Sequence, residues 1–397
     1  MLEENKALRM RLHSLTIFRG LLEDPVVSRL AALLHAQPSD AEACADAYCA
    51  FAAALYERGG DLSTYLLKAV LEDENLYVRR AASGASIPAE LAECLQHELC
   101  FLQELSQFDG AALRGALKGA FLPRWGTQTL DFAARYEENI RTLPLHGYGI
   151  YAKYHVFTVH SGAIVPVRHP DPQRLDELSG YERERGKVIA NTRALLEGRP
   201  ASNVLLYGDA GTGKSSTVKA VANAFADEGL RLIEVKKNQL YQIPDLVETL
   251  SANPLKFILF IDDLSFSTND NDFAALKAIL EGSVSSRSSN LAVYATSNRR
   301  HLVKETFSDR EGDEIHLADT MQELMSLSAR FGLTVTFQRP EKARFETILE
   351  ELAKQHNIQM PTEQLLLKAE AFALRAGGRS PRVAKQFIEQ CEAGVQK

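Results

Sequence analysis

The segment Gly208-Asp-Ala-Gly-Thr-Gly-Lys-Ser215 sets glycines, a lysine and a hydroxyl at the spacing of a phosphate-binding loop. The glycines let the backbone fold back so that several N–H groups point into one cavity, and a helix N-terminus behind them adds partial positive charge. Gly208, Asp209, Ala210, Gly211, Thr212, Gly213 and Ser216 would form this cradle. Lys214 would reach the β and γ phosphates of a nucleoside triphosphate, and the Ser215 hydroxyl would hold Mg²⁺. The loop follows apolar Val204-Leu-Leu-Tyr207 and opens an Ala-rich stretch from Ser216 to Ala226, the strand, loop and helix context that such chemistry needs. Without that context the same residues would read as a Gly-rich turn before an ordinary helix.

A second chemical signal is Lys256-Phe-Ile-Leu-Phe-Ile-Asp262-Asp263, an apolar run ending in two carboxylates about 48 residues after Lys214. Asp262 would join the Mg²⁺ shell, often through water, and Asp263 stands where a general base could polarise an attacking water. In isolation the run could equally be a plain strand end. Leu291-Ala-Val-Tyr-Ala-Thr-Ser-Asn298 is a further strand pattern, and it sets a neutral amide beside the acids if the two strands are neighbours. Asn298 could then orient the lytic water or touch the γ phosphate, although Asn is also a common turn former.

The elements that would carry these residues are legible as periodicities. From Leu8 to about Leu143 the chain reads as helices broken at Pro25, Pro38, Gly59-Gly60, Pro88 and Pro123. Leu62, Tyr65, Leu66, Ala69 and Val70 form one apolar stripe there, and Leu91, Cys94, Leu95, Leu99 and Leu102 another, which is the pattern of a bundle core. Residues 146 to 173 look like a connector with one or two strands, around an extended segment from Tyr148 to Val159. A helix from Tyr181 to Glu197 follows. Strands are expected at 203–207, 230–235, 256–261, 291–296 and 333–337, separated by helical stretches, which implies a parallel sheet covered on both faces. Three helices at 341–356, 362–375 and 381–394 close the chain. Ser283-Val-Ser-Ser-Arg-Ser-Ser289 reads as a short solvated loop.

Composition narrows the classes. The 397 residues allow two or three domains, and the net charge of −7 gives no general cationic field, so a nucleic-acid partner would need a local basic patch. Lys236-Lys237 and Arg299-Arg300 are too short to supply one. Five scattered cysteines offer neither a paired framework nor metal-ligand spacing, so a reducing cytoplasm is the simplest compartment. The N-terminus carries acids and lacks the apolar segment of a secretion signal, and Ala41 to Leu55 is interrupted by Glu42 and Asp46, so neither export nor a membrane span is expected.

Taken in order, these signals resemble the AAA+ ATPase superfamily over roughly residues 174 to 394. Lys214 and Ser215 match its first nucleotide motif, Asp262 and Asp263 its second, and Asn298 its first sensor. Ser328-Ala-Arg-Phe-Gly332 is similar to the segment carrying the arginine finger, here Arg330. Gly378-Arg-Ser-Pro-Arg382-Val-Ala resembles the second sensor, with Arg382 favoured over Arg379 as the residue facing the γ phosphate. The segment before the first strand, Leu178-Ser-Gly180-Tyr181, is similar to the one that lines the base pocket, which makes Gly180 and Tyr181 candidate contacts. Ser179 is there a candidate helix N-cap. Ala295-Thr-Ser-Asn-Arg-Arg-His-Leu302 and Leu327-Ser-Ala-Arg-Phe-Gly-Leu333 are similar to a bacterial family of AAA+ proteins whose function is not assigned.

The resemblance implies an α/β fold. A P-loop parallel sheet is covered by helices on both faces, with a C-terminal helical lid and an N-terminal all-helical domain. The expected division is a helical domain at 1–145, a connector at 146–173, the nucleotide-binding α/β domain at 174–338 and the lid at 339–397. It also implies ATP and Mg²⁺ as cofactors and a homo-oligomer in which Arg330 serves a neighbour's site. Supplying such a guanidinium in trans can accelerate hydrolysis by about 10³ to 10⁵. Most members end the second motif in Asp-Glu. This chain has Asp262-Asp263, one methylene shorter, so slow hydrolysis is expected. The leading reading is an ATP-hydrolysing machine acting on a protein or DNA client. A nucleotide-controlled loading module with little turnover is the alternative, and a small-molecule P-loop kinase would leave Asn298, Arg330 and the helical C-terminus without roles.

Overall fold

The structure is a computed structural model that describes residues 2–395 apart from 38, 118–120, 265–275, 277–279, 281–288 and 299–328. Residues 283–288 of the loop expected at 283–289, Arg299-Arg300 and the first residues of the segment around Arg330 lie outside the described residues. The chain divides into two compact units, Met1–Lys153 and Tyr154–Lys397.

The first unit is helical: α1 (Leu2–His13), α2 (Pro25–His35), α3 (Ala41–Tyr56), α4 (Leu62–Glu72), α5 (Leu76–Ala82), α6 (Ala89–Leu105), α7 (Ala111–Ala116), α8 (Phe132–Arg141), α9 (Leu143–His146) and α10 (Ile150–Lys153). The breaks have local causes. Pro25 occupies the first turn of α2, where a missing N–H costs nothing, and Asp24 accepts the Val26 and Val27 N–H groups. Asp40, Asp61, Asn75 and Asp131 cap α3, α4, α5 and α8 in the same way. Leu62, Leu66 and Val70 of the first stripe and Leu95, Leu99 and Leu102 of the second lie in one core with Tyr48, Phe51 and Trp125. Buried Glu98 accepts the Thr16, Ile17 and Phe18 N–H groups at 2.6–3.1 Å, which satisfies backbone donors that this core would otherwise strand.

The second unit is built on a seven-stranded sheet ordered β2-β1-β4-β5-β6-β3-β7, with β1 (Val156–His160), β2 (Ala163–Pro166), β3 (Val204–Gly208), β4 (Leu230–Glu234), β5 (Lys256–Ile261), β6 (Leu291–Ser297) and β7 (Leu333–Phe337). Every pairing is parallel except that of β1 with β2. The segment read as a connector thus supplies two strands of the main sheet, and residues 150–153, expected to be extended, form the short helix α10. Helices α11 (Glu182–Leu196), α12 (Lys214–Ala224) and α13 (Ile243–Ser251) intervene between strands.

On β5, Ile258 and Phe260 join a core with α11 and α12, while the alternate residues Phe257, Leu259 and Ile261 are equally buried, so both faces are covered. After β7 come three helices, α14 (Lys342–Gln355), α15 (Thr362–Arg375) and α16 (Pro381–Glu392), which share a core through Ile348, Leu352, Ala369, Ala384 and Phe387. The helical first unit, the mostly parallel sheet with helices on both faces and the C-terminal helices make the α/β fold class that the sequence implies. Among the described residues no helix is long and apolar enough to cross a membrane.

Candidate functional site

β3 lies between β6 and β7, and β6 lies between β3 and β5, so the loops leaving β3, β5 and β6 emerge side by side at one end of the sheet. That juxtaposition brings the lysine, the acids and the amide together. A cavity of about 480 Å³ opens there, walled by residues 210–217, Asp262, Asp263, Thr296 and Asn298 on the sheet side and by Ile348, Leu352, Arg382 and Lys385 on the lid side.

The loop itself is pinned at both ends. A Cβ at Gly208 would sit 2.0 Å from the Phe337 carbonyl oxygen, so no side chain fits where β3 meets the end of β7. The Asp209 N–H then donates to that same carbonyl at 3.0 Å, and its Oδ2 accepts the Arg339 N–H at 2.8 Å. At the loop's crest the Gly211 carbonyl accepts the Arg382 N–H at 3.1 Å, which docks the start of α16 on the cradle. Lys214 Nζ donates to the carbonyls of Gly208 and Asp209 at 3.0 and 2.7 Å. Burial holds this ammonium below the usual lysine range, partly countered by Asp209 and the acid pair. It is therefore a desolvated cation in contact with neutral carbonyls, an arrangement that an anion would relieve.

The two acids share a compact network. Ser215 Oγ donates to Asp262 Oδ1 at 2.6 Å, and Asn298 Nδ2 donates to Asp263 Oδ1 at 2.6 Å. Asp263 adopts φ 52°, in the left-handed region that short polar side chains tolerate best. Hard oxygen donors from a hydroxyl and a carboxylate suit Mg²⁺, and the Ser215–Asp262 pair fits such a cation.

Of the arginines, Arg382 lines the cavity, whereas Arg379 is held by a bidentate pair with Glu370 at 2.5 and 2.9 Å on the lid. Arg330 is not among the lining residues. It precedes β7, whose register pairs Leu333 with Val204 and Phe337 with Gly208, so it sits at the opposite end of the strand from the loop. The five residues of β7 amount to about 17 Å.

The base-side candidates divide differently from expectation. Tyr181 is turned away from the cavity: its ring stacks on Phe337 at 5.3 Å, the Arg344 guanidinium covers it at 5.1 Å, and its hydroxyl donates to the Gln338 carbonyl at 2.5 Å. Burial pushes its phenol up to about 12. Gly180, at φ 69°, makes the turn that sends Tyr181 inward, and it faces Ile348 rather than open space. The preceding Leu178 and Ser179 line the cavity in their place, with Arg185, whose guanidinium donates to the Gly180 carbonyl and pairs with Glu182. Ser179 does not cap α11. That position is Tyr181, and the Ser179 Oγ is buried without a hydrogen-bond partner beside the cavity. Lys385 and Thr296 also reach the site, and sequence reasoning passed over both. Lys385 follows Arg382 by one helical turn, a spacing that could have flagged it.

A family model described as "Protein of unknown function (DUF815)" matches residues 151–395. Among solved structures, the chain is similar to the Thermotoga maritima RuvB Holliday junction branch migration motor, at 17% identity and TM-score 0.36, over 55% of this chain and 64% of that one. Two single-residue variants of the same protein match at 18% and 17% identity with TM-scores of 0.35 and 0.37, over the same shares of both chains. The chain thus spans about 64% of the length of the RuvB chains it matches.

Proposed function

The chain belongs to the family described as "Protein of unknown function (DUF815)", and from the geometry of its cavity we propose that it binds Mg²⁺-ATP and hydrolyses it slowly to drive or switch the handling of a client. The observation that carries this reading is the convergence of Lys214, Ser215, Asp262, Asp263, Asn298 and Arg382 on one cavity of about 480 Å³.

In this reading residues 208–216 cradle the phosphates, Lys214 neutralises the β and γ oxygens, and Leu178, Ser179, Ile348 and Leu352 enclose the base. Ser215 and Asp262 would hold Mg²⁺, which when bound offsets phosphate charge. Water attacks the γ phosphorus as its proton passes to Asp263, the bond to the bridging oxygen breaks, and ADP and phosphate leave. Asn298 holds Asp263 in place, and Arg382 reports the γ phosphate to the lid. Arg330, remote from its own cavity, completes the site of an adjacent copy, which makes assembly a condition for turnover. The helical first unit engages the client, and the lid begins after residue 338.

The test is calorimetry with ATP, followed by phosphate release measured against protein concentration. Binding that Lys214→Ala abolishes, and specific turnover that rises with concentration and collapses in Arg330→Ala, are expected. Absence of adenine nucleotide affinity would overturn the assignment, and turnover independent of Arg330 would remove the shared site.

A further inference from the structure

Resting on the Mg²⁺-ATP reading, we propose that Thr296 is a positioning residue whose hydroxyl sets both acids of the site at once. Three contacts carry this. Thr296 Oγ1 donates to Asp262 Oδ1 at 2.5 Å, the same Oγ1 accepts the Asp263 N–H at 2.9 Å, and the Thr296 carbonyl accepts the Leu264 N–H at 2.7 Å. One residue of β6 thereby holds three successive residues at the end of β5.

The register explains why this residue has the task. Ile261 is the last residue of β5 paired with β6, opposite Ala295. Beyond it the chain must leave the ladder to bring a carboxylate to the cavity, and it does so through the left-handed Asp263. Leaving the ladder strands the Asp263 N–H, and the Thr296 hydroxyl takes it up. A hydroxyl has one proton and two lone pairs, so accepting that N–H leaves its proton for the carboxylate beside it. The residue is 2% exposed, so water does not compete for either bond.

The consequence falls on Asp262. Its Oδ1 accepts from Thr296, from Ser215 at 2.6 Å and from the Asp263 N–H at 3.1 Å. Three donors on one oxygen fix the plane of the carboxylate and leave Oδ2 as the oxygen that would face a bound cation. Without the Thr296 hydroxyl the carboxylate can swing and the turn at Asp263 loses its tether. The loss concerns the metal-dependent part of binding, because Lys214 and the cradle contact phosphate independently of it.

Calorimetric titration with ATP, in Mg²⁺ and in EDTA, separates these parts. Thr296→Val keeps the shape and removes the hydroxyl. It is expected to lower the Mg²⁺-dependent gain in ATP affinity about tenfold while affinity in EDTA stays within about twofold of the parent. Thr296→Ser restores the hydroxyl and is expected to keep the gain within about twofold. An undiminished gain in Thr296→Val, or a loss in Thr296→Ser equal to that in Thr296→Val, overturns the proposal. If Thr296→Val does not fold, the Ser variant decides: a tenfold loss there overturns it and a retained gain supports it. A parent chain that binds ATP in neither condition overturns the nucleotide reading and this proposal with it. A parent that binds ATP while the variants behave alike overturns this proposal alone.

Discussion

Replacing Asp263 by Glu gives the chain the acid pair commonest in the superfamily it resembles, and the backbone argues that this change is harmful. Asp263 stands at φ 52° with its N–H on Thr296 and its Oδ1 on Asn298. A left-handed backbone costs an ordinary L residue about 1–2 kcal/mol, which Asp offsets by hydrogen bonding close to its own backbone. Glu forfeits that compensation, and its extra methylene carries the carboxylate past Asn298. A net loss of about 1–2 kcal/mol would lower the melting temperature of the second unit by about 2–8 °C. Turnover should not rise, because a displacement of about 1 Å at the base can cost about 10²-fold in rate. Thermal unfolding monitored by fluorescence and steady-state phosphate release are the assays, with Asp263→Asn as control, since Asn tolerates the same backbone. That control should keep its melting temperature and lose turnover. An Asp263→Glu protein as stable as the parent and faster in hydrolysis would refute the reasoning.

Other outcomes follow from single contacts. Ser179→Ala removes a buried hydroxyl with no partner and should raise the stability of the nucleotide-free protein by about 1 kcal/mol, while ATP affinity falls several-fold, opposite signs that thermal shifts with and without ATP would reveal. Because burial holds Lys214 below the usual lysine value, the unfolded chain keeps that proton to higher pH than the folded one. The stability contribution of Lys214 should therefore increase as pH rises from its lowered pKa toward about 10.4, and ATP affinity should decline over the same window; a Lys214→Met protein should show neither trend. Arg382→Ala should weaken the protection of the lid by ATP in proteolysis, whereas Arg379→Ala, which only loses Glu370, should leave that protection intact.

Much of this was readable in the order of residues. The strands expected at 256–261 and 333–337 fall at those residues, those at 230–235 and 291–296 differ by one residue at their C-terminal ends, and that at 203–207 is displaced by one residue to 204–208, because Val, Ile and Leu runs bounded by Gly, Pro and acids leave little choice. The conditional reading of Asn298, that it meets the acids if its strand adjoins theirs, is met by the pairing of β5 with β6. What escaped depends on side-chain direction. Gly180 and Tyr181 are adjacent to the cavity-lining pair in sequence, but two successive left-handed residues rotate the tyrosine into the core, and periodicity carries no information about such a turn. Thr296 read as part of a strand because a buried hydroxyl's role is set by the neighbouring strand, which lies more than 30 residues away. The hairpin β1–β2 was seen as strands without a place, since a short edge pairing leaves no trace in composition.

β7 has two ends with different duties. Its last residue, Phe337, accepts the Asp209 N–H, Arg339 just beyond it donates to Asp209 Oδ2, and its first residue follows Arg330 by three positions. Because the strand is bonded to β3 along its full length, it behaves as a stiff strut about 17 Å long. If residues 208–216 take up phosphate as proposed, the pairing of β7 with β3 gives a displacement at Asp209 a direct backbone route to the far rim of the sheet. A ring assembled through that rim would possess a built-in wire from each occupied cradle to the next.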